Sequence, residues 1–146
     1  MKLYLDVCTI CRPYDDQRLM RVRLETDAVH LILSKIRDGT YQAVASRVHT
    51  LEVSAISNFA ERIELLTLLA RFQSDVAVDK ALAAKRAEQL HSSGFGLADS
   101  AHLAYAEVTA DVFITCDDKL IKKSRKEDVR VPVCNPIEFV LKEELQ

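Results

Sequence analysis

Two hydrophobic periods alternate along the chain, and their order predicts a parallel sheet joined by helices. The run Lys2–Leu5 is apolar and stops at Asp6, a short first strand. From Arg18 to Arg37, Leu19, Val22, Val29, Ile32, Leu33 and Ile36 recur mostly at three- and four-residue spacing. That spacing predicts an amphipathic helix, which Gly39 ends. Residues 41–45 fit a second strand, and Ser46 is placed to cap a short helix carrying Val48, Leu51, Glu52 and Ile56. Asn58 and Glu61 have capping-box spacing and open a helix through Phe72. Residues 75–78 fit a weak strand or an extended connection. Asp79 caps a helix over 80–91, which the breaker-rich Ser92-Ser93-Gly94-Phe95-Gly96 ends. An Ala-rich helix is expected over 97–108 and a strand over 111–115. Asp117-Asp118 then opens a basic helix, residues 130–133 fit a last strand, and Pro136 opens a terminal helix at its first turn. The expected fold class is α/β, with strands and crossover helices in alternation.

Length and composition narrow the reading to one domain over residues 1–146. With 146 residues, 49% apolar and 29% charged, the chain has the balance of a globular protein large enough to need no disulfide staple. No apolar stretch approaches the ~20 residues of a membrane span, and the N-terminus meets Asp6 after three apolar residues, too soon for a signal-peptide core. A cytoplasmic protein is the expectation. Cys8, Cys11, Cys116 and Cys134 then read as reduced thiols. The net charge of −2 excludes a strongly basic nucleic-acid binder, but not a nucleic-acid substrate.

In open parallel sheets, chemistry gathers beyond the carboxyl ends of the strands. Asp6 follows the first strand, and Asp117 and Asp118 follow Val112-Phe113-Ile114-Thr115. Asp99 lies in the first turn of a helix that is otherwise largely apolar, and Glu52 sits between Leu51 and Val53. Each acid taken singly reads as a cap or a solvated side chain. If Asp6, Glu52, Asp99 and Asp117 converge, each pair ~4 Å apart repels by about 4 kcal/mol at an effective dielectric near 20. Protons or a hard divalent cation must then neutralise them, and oxygen ligands select Mg²⁺ or Mn²⁺. Such an ion supports phosphodiester hydrolysis.

At these residues the chain resembles PIN-domain proteins, the fold of VapC-type toxins of toxin–antitoxin pairs and of several RNA-processing nucleases. Leu3-Tyr4-Leu5-Asp6-Val7-Cys8 resembles the family's first strand and first acid. Leu51-Glu52-Val53 falls where the family places its glutamate. Gly96-Leu97-Ala98-Asp99-Ser100-Ala101-His102-Leu103-Ala104 resembles its most recognisable segment, and Thr115-Cys116-Asp117-Asp118 its Thr-x-Asp turn. The four segments keep the family's order over residues 1 to about 140. The resemblance implies a small parallel sheet flanked by helices and Mg²⁺/Mn²⁺-dependent RNA cleavage leaving a 3′-hydroxyl and a 5′-phosphate. It implies that Asp6, Glu52, Asp99 and Asp117 are the metal-site acids and that Thr115 orients the site. Asp118 is an outer acid or, by preference, a helix cap. A small antitoxin and a homodimer are also implied. One departure stands out: many members carry Asn or Ser where this chain has Cys8, and a soft thiol is a poor Mg²⁺ ligand.

Other readings are weaker. Cys8-Thr9-Ile10-Cys11 has redox spacing, but no thioredoxin-like order of elements follows it. Zinc lacks a second Cys pair, position 8 lacks the second acid of a haloacid-dehalogenase phosphatase, and the glycines of a phosphate-binding loop are missing. His30, His49, His91 and His102 are scattered singly and read as surface or packing residues. Lys119, Lys122 and Lys123, with Arg125 and Lys126, form either a solvated helix face or a phosphate-positioning edge. The rival from another class is a PIN-like module that binds RNA or protein without cutting.

Overall fold

The computed structural model describes residues 1–74 and 76–146. Its strands are β1 (Lys2–Leu5), β2 (Gln42–Ala43), β3 (Val112–Ile114) and β4 (Val133–Cys134). The helices are α1 (Val7–Ile10), α2 (Met20–Arg37), α3 (Arg47–Ser54), α4 (Phe59–Leu69), α5 (Lys80–Ser92), α6 (Leu97–Thr109), α7 (Asp118–Lys126) and α8 (Pro136–Lys142). A 3₁₀ turn covers Arg12–Tyr14. The four strands form one parallel sheet in the order β2-β1-β3-β4.

Side chains alternate across a strand, so β1 serves two cores at once. Leu3 and Leu5 point to one face with Ile10, Ile32, Val53, Leu65, Ile114 and Phe139. Tyr4 points to the other with Leu90, Phe95, Leu103, Phe113 and Leu120. Leu3, Tyr4, Leu5, Phe113 and Ile114 are fully buried, which explains why β1 and β3 read as unbroken apolar runs. Each such residue contributes roughly 1.5–3 kcal/mol by leaving water.

Two strands are shorter than the pattern in the sequence predicts. The second strand is shorter than 41–45: after Ala43, Val44 bridges in parallel to Gln73. Of the weak strand or extended connection expected over 75–78, Asp75 lies outside the described residues, and 76–78 form a connection without strand pairing. The last strand begins at Val133 rather than Arg130. Pro132 has no N–H to donate, and the Arg130 N–H is held by the Glu107 carboxylate at 2.9 Å. The four-residue α1, capped by Asp6 accepting from the Val7 N–H, was not legible because one turn shows no period.

The order of strands decides where a site forms. From central β1 the chain first crosses outward to β2, then returns to β3 on the other side. The ends of β1 and β3 therefore diverge at a switch point, the place where parallel sheets open a crevice. Asp6 stands at one lip and Thr115-Cys116-Asp117 at the other, joined by the Asp6 N–H donating to the Ile114 carbonyl at 2.9 Å.

Candidate active site

Asp6 is nearly buried (7% exposed), and its carboxylate is held from three directions. Oδ1 accepts from the Val7 N–H at 2.8 Å, and Oδ2 accepts from the Thr115 hydroxyl at 2.8 Å and from the Cys8 thiol at 3.3 Å. Thr115 Oγ1 in turn accepts the Asp117 N–H at 3.1 Å, tying the two lips together. Cys8 thus supplies a hydrogen bond to Asp6 despite its sulfur, and it also touches Thr115 Oγ1 at 3.3 Å. Its neighbour Cys116, burial and the Asp6 charge push the Cys8 thiol up, so it stays a protonated donor. Burial pushes Cys11 up to about 11. All four cysteines are free, and a redox pair at Cys8-Thr9-Ile10-Cys11 has no activated thiol.

Asp117 caps α7: its Oδ1 accepts from the N–H groups of Lys119 and Leu120 at 3.0 and 3.2 Å. The cap expected of Asp118 is therefore made one residue earlier. Asp118 already lies inside the helix, and its carboxylate faces Arg21 of α2, with Oδ1 accepting at 2.7 Å.

Asp99 enters from the first turn of α6, whose cap residue Gly96 offers no side chain. Burial is the main cause that pushes the Asp99 carboxyl up to about 6, followed by the charges of Asp6 and Asp117, with Glu52 adding a smaller push. Asp99 thus senses the other three acids. Glu52, half-buried on α3, is drawn the other way. Its Oε1 accepts from His102 Nε2 at 2.7 Å, and that hydrogen bond holds the carboxyl below its usual range.

Of the two readings that scattered histidines allow, surface or packing, His102 and His49 take the second: they are 1% and 0% exposed. His49 Nδ1 accepts the Ser46 N–H at 2.9 Å, which leaves Nε2 to donate to the Leu5 carbonyl at 2.7 Å. Ser46 caps α3 in a capping box whose third helical residue is His49. The Tyr4 hydroxyl lies between Ser46 Oγ, at 2.7 Å, and His102 Nδ1. The cap at Ser46 was legible in the sequence, but the meeting of Ser46, His49 and His102 at Tyr4 was not. The usable signals were a hydroxyl inside an apolar strand and a His three residues after Asp99 on an apolar helix.

Among the basic residues, Lys119 and Lys122 are exposed near the start and middle of α7. Lys123 is folded over the Phe95 ring, its Nζ 5.5 Å from the centroid, and is engaged with the fold. A second charged group was not anticipated. Glu25 of α2, 1% exposed, accepts from Arg21 at 2.8 Å and from Arg12 at 3.4 Å.

The donor set at the crevice is made of carboxylate oxygens, which suits a hard cation. Among the described residues, no three His, Cys, Asp or Glu side chains stand close enough to hold one ion directly. Mg²⁺ does not require three, since it commonly keeps several waters and takes one or two carboxylates. Burial is the larger cause of the raised Asp99 carboxyl, and a cation would relieve the part that the Asp6 and Asp117 charges add, so an all-oxygen donor set here fits such an ion.

No protein-family model matches the sequence, and no curated protein matches it significantly. Solved structures do resemble it. The crystal structure of VapBC2 from Rickettsia felis bound to a DNA fragment from their promoter superposes with a TM-score of 0.59 at 16% identity. That match covers 92% of this chain and 98% of the other. FitAcB from Neisseria gonorrhoeae gives a TM-score of 0.52 at 20% identity over 92% and 97% of the two chains. FitAB bound to the IR36 DNA fragment gives 0.52 at 21% over 92% and 95%. The chain thus has a PIN-like α/β fold, shared over nearly its whole length with components of these complexes. Among the described residues, no helix is long and apolar enough to cross a membrane.

Proposed function

We propose that the chain is a Mg²⁺- or Mn²⁺-dependent endoribonuclease whose reaction takes place at the β1/β3 crevice. The observation that supports the proposal is the Thr115 hydroxyl at the switch point, which donates to Asp6 Oδ2 at 2.8 Å and accepts the Asp117 N–H at 3.1 Å, so that acids following β1 and β3 share one hydroxyl, while their charges help to raise the Asp99 carboxyl. A bound divalent ion would activate water and stabilise charge on the phosphoryl group. Asp6, Asp99, Asp117 and Glu52 would hold that ion, directly or through water. Thr115 and Cys8 fix the Asp6 carboxylate by donating to Oδ2, so that it need not reorganise when a substrate binds. Lys119 and Lys122 are exposed on the helix that Asp117 caps, where they can meet a backbone phosphate. Lys123 is a poorer candidate because it lies on Phe95.

A small antitoxin-like partner is part of the proposal, since the similar structures are of VapBC2 and FitAB complexes. A homodimer rests on the resemblance alone, and a cytoplasmic setting on the N-terminal sequence, where Asp6 follows three apolar residues. The test is cleavage of a labelled single-stranded RNA with Mn²⁺, comparing wild type, Asp6→Asn and an EDTA control. Cleavage by the wild type alone supports the reading. Equal cleavage by Asp6→Asn removes it, and inactivity across several RNAs favours a module that binds without cutting.

A further inference from the structure

We infer that His102 is a positioning residue for Glu52, held in place by a buried Tyr4–Ser46–His49 array; the inference rests on the metal-site reading above. The hydrogen bonds follow from fixed groups outward. The Ser46 backbone N–H can only donate, so His49 Nδ1 accepts and its Nε2–H donates to the Leu5 carbonyl at the end of β1. His49 is thereby locked to the sheet. Its own backbone N–H donates to Ser46 Oγ at 3.4 Å; because His49 Nδ1 already accepts the Ser46 N–H and lies 3.3 Å from Oγ, the Ser46 hydroxyl proton goes to the nearer Tyr4 oxygen at 2.7 Å. The Tyr4 hydroxyl then donates to His102 Nδ1, and His102 Nε2–H donates to Glu52 Oε1. One branch ends on the Leu5 carbonyl, and in the other the protons run from Ser46 through Tyr4 and His102 to the Glu52 carboxylate.

The array is rigid as well as satisfied. Tyr4 and His49 are 0% exposed and His102 1%, and the Tyr4 ring stacks on Phe113 of the neighbouring strand with centroids 5.3 Å apart. Glu52 alone reaches the crevice, with 35% of its side chain exposed. It stands on an eight-residue helix and has a flexible stem, so helix position alone does not orient the carboxylate. His102 does so by fixing one oxygen and leaving Oε2 toward solvent. His102 stands one turn after Asp99 on α6, so the side chain that fixes Glu52 and the acid beside it share one helix.

Two substitutions separate this role from packing. A Gln amide reaches about as far along the side chain as Nε2, whereas an Asn amide reaches only as far as Nδ1. His102→Gln can therefore still donate to Glu52, and His102→Asn cannot. Mn²⁺ binding without RNA, followed by electron paramagnetic resonance of the free ion, is measured for both, for Glu52→Gln, and for the His102→Asn/Glu52→Gln double variant. Thermal melts check that each variant folds. Loss of a partner that orients a ligand typically costs roughly 10–100-fold in metal affinity. His102→Asn is expected to fall in that range, His102→Gln to keep most of the affinity, and the double variant to bind no more weakly than Glu52→Gln alone.

In the metal-free wild type, ¹⁵N-imidazole NMR is expected to show an exchange-protected His102 Nε2 proton that shifts in Glu52→Gln. Wild-type affinity in a folded His102→Asn variant, additive effects in the double variant, or absence of the coupled proton overturns the inference alone. A wild type that binds no Mn²⁺ overturns the metal reading, and the inference falls with it.

Discussion

Replacing Asp99 by Asn should stabilise the protein in the absence of divalent ions, the reverse of what most substitutions in a buried site do. Asn has nearly the same shape, and none of the causes that move the Asp99 carboxyl is a hydrogen bond that the change would remove. The substitution therefore deletes a charge and little else. In the fold, burial and then the Asp6 and Asp117 charges raise the carboxyl from 3.8 to about 6. A shift of about 2 units corresponds to ~3 kcal/mol at 1.36 kcal/mol per unit. Asp99 is only part-buried, so solvent screening reduces this to about 1–2 kcal/mol.

The sign follows from proton counting. Between pH 4 and 6 the folded state holds the Asp99 proton more tightly than the unfolded chain, so this group's contribution to stability falls as pH rises through that window. Above pH 6 the full penalty applies. Melts in EDTA from pH 5 to 8 should show Asp99→Asn gaining on the wild type up to about pH 6 and holding a constant lead above it. A lead of 1–2 kcal/mol corresponds to roughly 3–8 °C for a domain of this size. Mn²⁺ should narrow the gap by stabilising the wild type more than the variant. An Asp99→Asn protein that melts below the wild type at pH 7.5 in EDTA, or with the same pH profile, would refute the reasoning.

Other substitutions probe the supports around the site. Thr115→Val keeps the shape but removes the donor to Asp6 and the acceptor for the Asp117 N–H, and should cost about 1.5–3 kcal/mol in urea titrations. Arg86→Ala strips the guanidinium that donates to both oxygens of Glu107, at 2.8 and 3.0 Å. Glu107 is 3% exposed, so the loss should be about 3 kcal/mol by the same titration. Gly94→Ala combines a φ of +100° with a Cβ that would lie 2.6 Å from Lys123 Nζ. It should lower the melting temperature, by at least the ~1 kcal/mol that the left-handed conformation costs a non-glycine residue.

The order of elements was legible because β1 and β3 are buried on both faces and α2 on one, so burial wrote its period into Leu3–Leu5, Val112–Ile114 and Val22–Ile36. The acids were legible because a carboxylate after an apolar strand, or within an apolar helix, contradicts its surroundings. What escaped depends on contacts between distant segments. Tyr4 and Ser46 are 42 residues apart, and Tyr4 and His102 are 98 apart, so no local spacing announces their meeting. The capping of α7 by Asp117 rather than Asp118 turned on a one-residue boundary, which adjacent acids leave undetermined. The partial commitment of the basic run was likewise invisible, because Lys123 is engaged by Phe95 from another segment.

The central claim is that a divalent cation sits among Asp6, Glu52, Asp99 and Asp117. Anomalous diffraction from crystals soaked in Mn²⁺ tests it most directly. A peak is expected in the β1/β3 crevice, with at least one of these carboxylates as a direct ligand, and none there in Asp99→Asn crystals. A well-soaked wild-type crystal with no peak in the crevice, or with Mn²⁺ bound elsewhere, would contradict it.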